Sequence, residues 1–133
     1  MMISAAPVAQ SEPLFLTPAP PSCRAARAAA REQLSLWGRP DLADEAEAVV
    51  AELVANAVTA SAPGSTPIAM RLALTGSSVR IEVFDSAPGV PAAVAAGPDA
   101  ESGRGLAMVA ALTAKWGWND AGGVKVVWAV LAL

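Results

Sequence analysis

Apolar residues recur along this chain with two different periods, and the switches between them mark the elements. Val49, Val50, Leu53, Val54, Ala57 and Val58 fall at helical spacing and predict a helix over about 41–61 with one broad buried face. Ile68, Met70, Leu72 and Leu74 then alternate with Ala69, Arg71 and Ala73. Beyond Gly76-Ser77-Ser78, the residues Val79, Ile81 and Val83 alternate with Arg80 and Glu82. Period two on both sides of a turn predicts a hairpin with one buried and one wetter face, the usual antiparallel pattern. Leu106, Met108, Val109 and Leu112 return to the helical period over about 104–114, and strands are expected near 115–119 and 124–132.

Punctuation supplies the rest. SEPLFLTP (11–18) predicts a short first strand, broken by PAPP at 18–21. Ser22 is the expected N-cap of a helix over about 23–37, closed by Gly38-Arg39-Pro40. Asp41 opens the next helix, and Asp44 and Glu45 place negative charge in its first turn, where the helix dipole favours it. SAPGSTP (61–67) ends it, and 86–103, rich in Pro, Gly, Ala and Ser without periodicity, reads as a loop. The order is strand, two helices, hairpin, loop, helix, two strands. It predicts a two-layer α/β sandwich, an open sheet with helices on one face. Residues 1–11 read as a loose tail and 12–133 as one domain.

Composition narrows the chemistry. With 54% hydrophobic and only 16% charged residues the chain should collapse into a packed core. Much of that apolar content is Ala and Val, so Trp37, Trp116, Trp118, Trp128, Phe15 and Phe84 are expected to supply the core's bulk. A net charge of −3 argues against general nucleic-acid binding. One cysteine and no histidine exclude an intramolecular disulfide, a Cys/His zinc site and every imidazole-based catalytic scheme. The longest apolar run, Val126 to Leu133, is far short of the roughly 20 residues of a membrane span, and the N-terminus lacks a basic flank, so the cytoplasm is the expected location. Arg24, Arg27 and Arg31 share one side of the first helix, as a solvated face or as a contact for an acidic partner.

Three stretches interrupt the apolar pattern with polar groups. Glu52 and Asn56 are four residues apart in AELVANAV, about 6 Å along the axis and nearly on one face. Burying them requires polar partners. A hydrated ion with a phosphate chain would serve, the Asn carbonyl ligating Mg²⁺ and the Glu taking a proton from a nucleophile. Alternatively, both sit at the edge of the buried stripe and touch water. Asp85 continues the odd parity of Val79, Ile81 and Val83, so it should face the helical layer from the end of its strand. There it could accept a hydrogen bond from an amine such as adenine N6, or it could cap a turn through Ser86 or Ala87. Pro88, Gly89 and Pro91 follow, and Gly89 would let a flat ring approach the backbone. Gly103 and Gly105 flank Arg104 at the start of the third helix, where free N–H groups attract phosphate. No P-loop and no dinucleotide fingerprint is present.

ELVANAV (52–58) resembles the N-box of the GHKL ATPase superfamily, and VFDSAPGVP (83–91) resembles its adenine-binding box. ESGRGL (101–106) is similar to the second glycine box, while Trp116-Gly117-Trp118 and Lys125-Val126-Val127-Trp128 resemble the ending. The four stretches, in order, resemble the small anti-sigma-factor serine kinases and their actinobacterial single-domain relatives over about residues 22–133. The resemblance implies the GHKL sandwich with a mixed sheet, and ATP with Mg²⁺ as ligands. Asn56 would ligate Mg²⁺ and Glu52 would be the general base toward a serine hydroxyl. Asp85 would bind adenine N6, Gly89 would line the adenine pocket, and Gly103, Arg104 and Gly105 would hold the phosphates. It further implies a sigma factor or an antagonist protein as partner, and allows a homodimer. A catalytically silent nucleotide-binding module, using Trp128, Val130, Leu131 and Leu133 as a contact patch, is the alternative.

Overall fold

The computed structural model describes residues 7–62, 65–87 and 104–133. Two short strands, β1 (Ala9–Gln10) and β2 (Leu14–Leu16), precede helix α1 (Ser22–Leu36). A 3-10 turn at Pro40–Leu42 leads into α2 (Ala43–Ala60), and the hairpin β3 (Ile68–Leu74) and β4 (Ser78–Asp85) follows. Helix α3 (Arg104–Leu112), β5 (Lys115–Ala121) and β6 (Val124–Ala132) complete the described chain.

The strands form one sheet in the order β1-β3-β4-β6-β5, with β2 pairing the other half of β3. Every pairing among the described strands is antiparallel, so over these residues the mixed sheet implied by the resemblance is an antiparallel one. β4 is central, bonded along its length to β3 and β6. Helices α1 and α2 pack on each other, α2 packs on β4 and β6, and α3 packs on α2 and β5. This is the two-layer sandwich that the element order predicts. Ala9–Gln10, within the stretch expected to be a tail, pairs with Ala73 and Leu74.

The helix ends follow from their residues. Gly38 takes φ 72° after α1. Arg39 N–H then bonds to Leu34 O at 2.8 Å and Gly38 N–H to Ser35 O at 3.0 Å, a Schellman closure that needs glycine's left-handed freedom. At the other end Ser22 is the first helical residue rather than the N-cap. Pro21 holds the cap position, and the Ser22 hydroxyl donates backward to Thr17 O, pinning the proline-rich turn. The second helix begins as a 3-10 turn with Pro40 at its start, so the expected opening at Asp41 becomes an α-helix only at Ala43.

The interior lies between the layers. Ala26, Ala30 and Leu34 of α1 share one buried cluster with Ala46, Val49, Val50, Leu53, Val54 and Ala57 of α2, and the two helices pack on each other. From the sheet come Ile68, Met70 and Leu72, then Val79, Ile81 and Val83, then Val127, Ala129 and Leu131. The aromatic bulk expected there is mostly elsewhere. Trp37, Trp116 and Trp118 only border this core, and Phe15 is 68% exposed. Ala26, Ala30 and Ala46 are fully buried, and aliphatic side chains make up the rest of the core.

The opposite face of the sheet has its own order. Glu82, 8% exposed, accepts from Arg71 Nε at 2.9 Å and from Arg80 Nε at 3.2 Å. Arg71 lies over the Phe84 ring and Arg80 over Trp128 at 4.5 Å. The wetter face expected of the hairpin is therefore a charged and aromatic layer.

Candidate functional site

Parity predicts that Asp85 shares the face of Val79, Ile81 and Val83, and all four are buried. The strand ends at Asp85, so its carboxylate lies at the rim of the sheet beneath the helical layer. Oδ1 accepts the Ala87 N–H at 2.8 Å, so the turn-capping role weighed from the sequence is present. Oδ2 is buried and has no hydrogen-bond partner.

Across the ladder, Asp85 is the register partner of Lys125 at the start of β6. Both side chains are 1% exposed, with Lys125 Nζ 3.6 Å from Asp85 Oδ1. That is an ion pair beyond hydrogen-bonding distance, and Nζ too lacks a hydrogen-bond partner. Burial pushes the Asp85 pKa above its ordinary value of 3.8, with the Ala87 N–H and the Lys125 charge pulling against it. Sequence reasoning quoted Lys125 within the closing stretch but gave it no role. Its signal was available: Lys125 shares the odd parity of Val127, Ala129 and Leu131, all inward-facing.

Glu52 and Asn56 are both half-buried on α2, the helix that packs on β4 and β6. Burial raises the pKa of the Cys23 thiol, Arg27 lowers it and Glu52 raises it further. The Glu52 carboxylate is thus within electrostatic reach of the first turn of α1. A hollow of about 380 Å³ there is lined by Pro20, Pro21, Cys23, Arg24 and Arg27. Arg24, Arg27 and Arg31 are all exposed, as expected of a solvated face, and Arg31 also bonds Asp44 and Glu47 of α2 at the surface. Arg104 and Gly105 open α3, while Gly89 and Gly103 lie outside the described residues.

A second hollow, about 390 Å³, sits at the same end of the sheet and is lined by Phe15, Thr66, Ala69, Phe84, Ser86 and Val124 among others. Ala69 and Phe84 belong to the outer face by alternation. That hollow therefore draws on the outer face, and Asp85 is among the residues that line it.

The Glu/Asn pair lies on α2 and the buried Asp at the end of β4, and the family model of the histidine kinase-like ATPase domain matches residues 16–131. The chain belongs to that family. Comparison with curated proteins finds no match. As a histidine kinase-like ATPase domain the chain is an ATP-binding, kinase-like module. No helix among the described residues is long and apolar enough to cross a membrane.

Proposed function

We propose that this histidine kinase-like ATPase domain is a cytoplasmic regulator that binds Mg·ATP and acts as a protein-serine kinase of the anti-sigma-factor type. Its protein partner would be a small antagonist protein, a sigma factor, or each in turn. One observation carries the nucleotide assignment to Asp85. The carboxylate spends Oδ1 on the Ala87 turn and keeps Oδ2 buried and unbonded. A buried acceptor of this kind is costly unless a ligand satisfies it, and the N6 amine of adenine is a donor of the right kind.

The remaining roles follow the same frame. Asn56 offers a neutral carbonyl oxygen one helical turn from Glu52, a hard-oxygen donor suited to Mg²⁺ held chiefly by phosphates. The ion would neutralise phosphate charge when bound. Backbone amides at Gly103, Arg104 and Gly105 would hold the phosphates, and Gly89 would line the base. Glu52 would take the proton from a serine hydroxyl. The serine oxygen would then bond to the γ-phosphorus as the bond from phosphorus to the β–γ bridging oxygen breaks, leaving phosphoserine and ADP.

Two measurements test this. Calorimetry with Mg·ATP should show binding to the wild-type chain and an affinity about tenfold or more weaker for Asp85→Asn. Labelled ATP incubated with the protein and candidate partners should transfer its γ-phosphoryl group to a serine. Nucleotide-dependent co-purification without label transfer would instead identify a silent binding module.

A further inference from the structure

Asp85 and Lys125 present two unsatisfied polar atoms side by side: an acceptor, Oδ2, and a donor, Nζ, both buried. Most buried side-chain polar atoms are bonded, and a neighbouring acceptor and donor that both lack partners match one kind of ligand edge. That edge has a donor and an acceptor at neighbouring positions. The Watson–Crick edge of adenine has this pattern, with the N6 amine donating and ring N1 accepting.

We propose that Lys125 is a base-reading residue of the nucleotide site, donating from Nζ to adenine N1 while Asp85 Oδ2 accepts from N6. The assignment rests on the reading of Asp85 as the N6 acceptor. Given that, the cross-strand neighbour of Asp85 stands at the next position along the ring edge. An ammonium carries three donors and no acceptor, so one N–H can point toward Asp85 while another meets the base. The arrangement also rejects guanine. In the same pose its O6 would face the carboxylate and its N1–H would face the ammonium, two mismatches in a site shielded from water.

The test compares ATP, 1-deaza-ATP and GTP, each with Mg²⁺, by calorimetry on the full chain. 1-Deaza-ATP keeps the N6 amine and loses only the N1 acceptor. The wild-type chain should bind ATP at least about tenfold more tightly than 1-deaza-ATP, and GTP more weakly than either. Lys125→Met, similar in length but without a donor, should bind ATP and 1-deaza-ATP alike, both near the wild-type affinity for 1-deaza-ATP. The wild-type comparison needs no substitution, so it stands even where Lys125→Met fails to fold. Equal wild-type affinities for ATP and 1-deaza-ATP, an undiminished preference in Lys125→Met, or tighter binding of GTP than of ATP each overturns the role of Lys125. Failure of the underlying reading looks different: no ATP binding by the wild-type chain, or Asp85→Asn binding ATP as tightly as wild type.

Discussion

Asp85 and Lys125 face each other across the β4–β6 ladder, sealed from solvent and 3.6 Å apart. Two opposed effects act on the carboxylate there, and burial outweighs the attraction of the ammonium, so its pKa rises. The native state then holds the Asp85 proton to higher pH than the unfolded chain does. As pH climbs from the ordinary value of 3.8 through the raised native value, Asp85 makes the protein progressively less stable, and above that its contribution is constant. Asp85→Asn abolishes this slope. Urea midpoints measured from below pH 3.8 to neutrality should therefore show the variant gaining on wild type as pH rises, then running parallel to it. A gain for wild type over the same window would mean that the pull of Lys125 exceeds the cost of burial.

Glu52 and Asp85 are proposed for different steps, one for proton removal and one for base recognition. Glu52→Ala should accordingly abolish phosphoryl transfer to the partner serine while leaving the affinity for Mg·ATP within about threefold of wild type. A binding isotherm and a single-turnover transfer assay on the same preparation separate the two quantities. Transfer at the normal rate would remove Glu52 from the chemistry. A large loss of affinity would place its carboxylate among the groups that hold the nucleotide.

Glu82 joins the two cation–ring pairs on the outer face, because Arg71 and Arg80 both donate to it. Its side chain is 11% exposed, whereas those of the arginines are each about a third exposed. Water therefore screens the arginine side of the network. Glu82→Gln should cost about 1 kcal/mol in urea denaturation, less than the loss of a fully buried pair. Arg80→Met in the same background should cost less than Arg80→Met alone, since the carboxylate it served is already gone.

Much of this architecture was legible because strands alternate and helices return every 3.6 residues. Period two placed Asp85 on the inner face, and helical spacing found Val49, Val50, Leu53, Val54 and Ala57 of the buried stripe of α2, missing Ala43 and Ala46 and including Val58, which is only partly buried. What periodicity does not encode is how close two layers come. The expected aromatic core failed on that point: small residues such as Ala26 and Ala30 are fully buried in the core, while the tryptophans only border it or lie on the outer face. Ser22 misled for a related reason. A serine before a helix is an excellent cap by type, but Pro21 occupies the cap and the hydroxyl bonds Thr17 instead. Lys125 went unassigned because lysine is so rarely buried that residue type outweighed parity. Of the glycine positions in the proposed site, Gly89 and Gly103 lie outside the described residues, and their roles rest on the resemblance.

Gly117 lies directly under the indole of Trp128, its register partner across the β5–β6 pair. A Cβ at Gly117 would stand 2.6 Å from Trp128 Cζ2, closer than real Cβ atoms approach. The ring has little room to yield, because Arg80 sits over it and its Nε1 is already buried without a hydrogen-bond partner. Gly117→Ala should therefore cost about 1–3 kcal/mol, although alanine normally suits a strand better than glycine does. The cause is steric and local, so it can be relieved. With Trp128→Leu in place, the further change Gly117→Ala should be nearly neutral, giving a coupling energy of about 1 kcal/mol or more in a double-mutant cycle read from urea denaturation. An equal cost for Gly117→Ala in both backgrounds would show that the ring is not what the glycine accommodates.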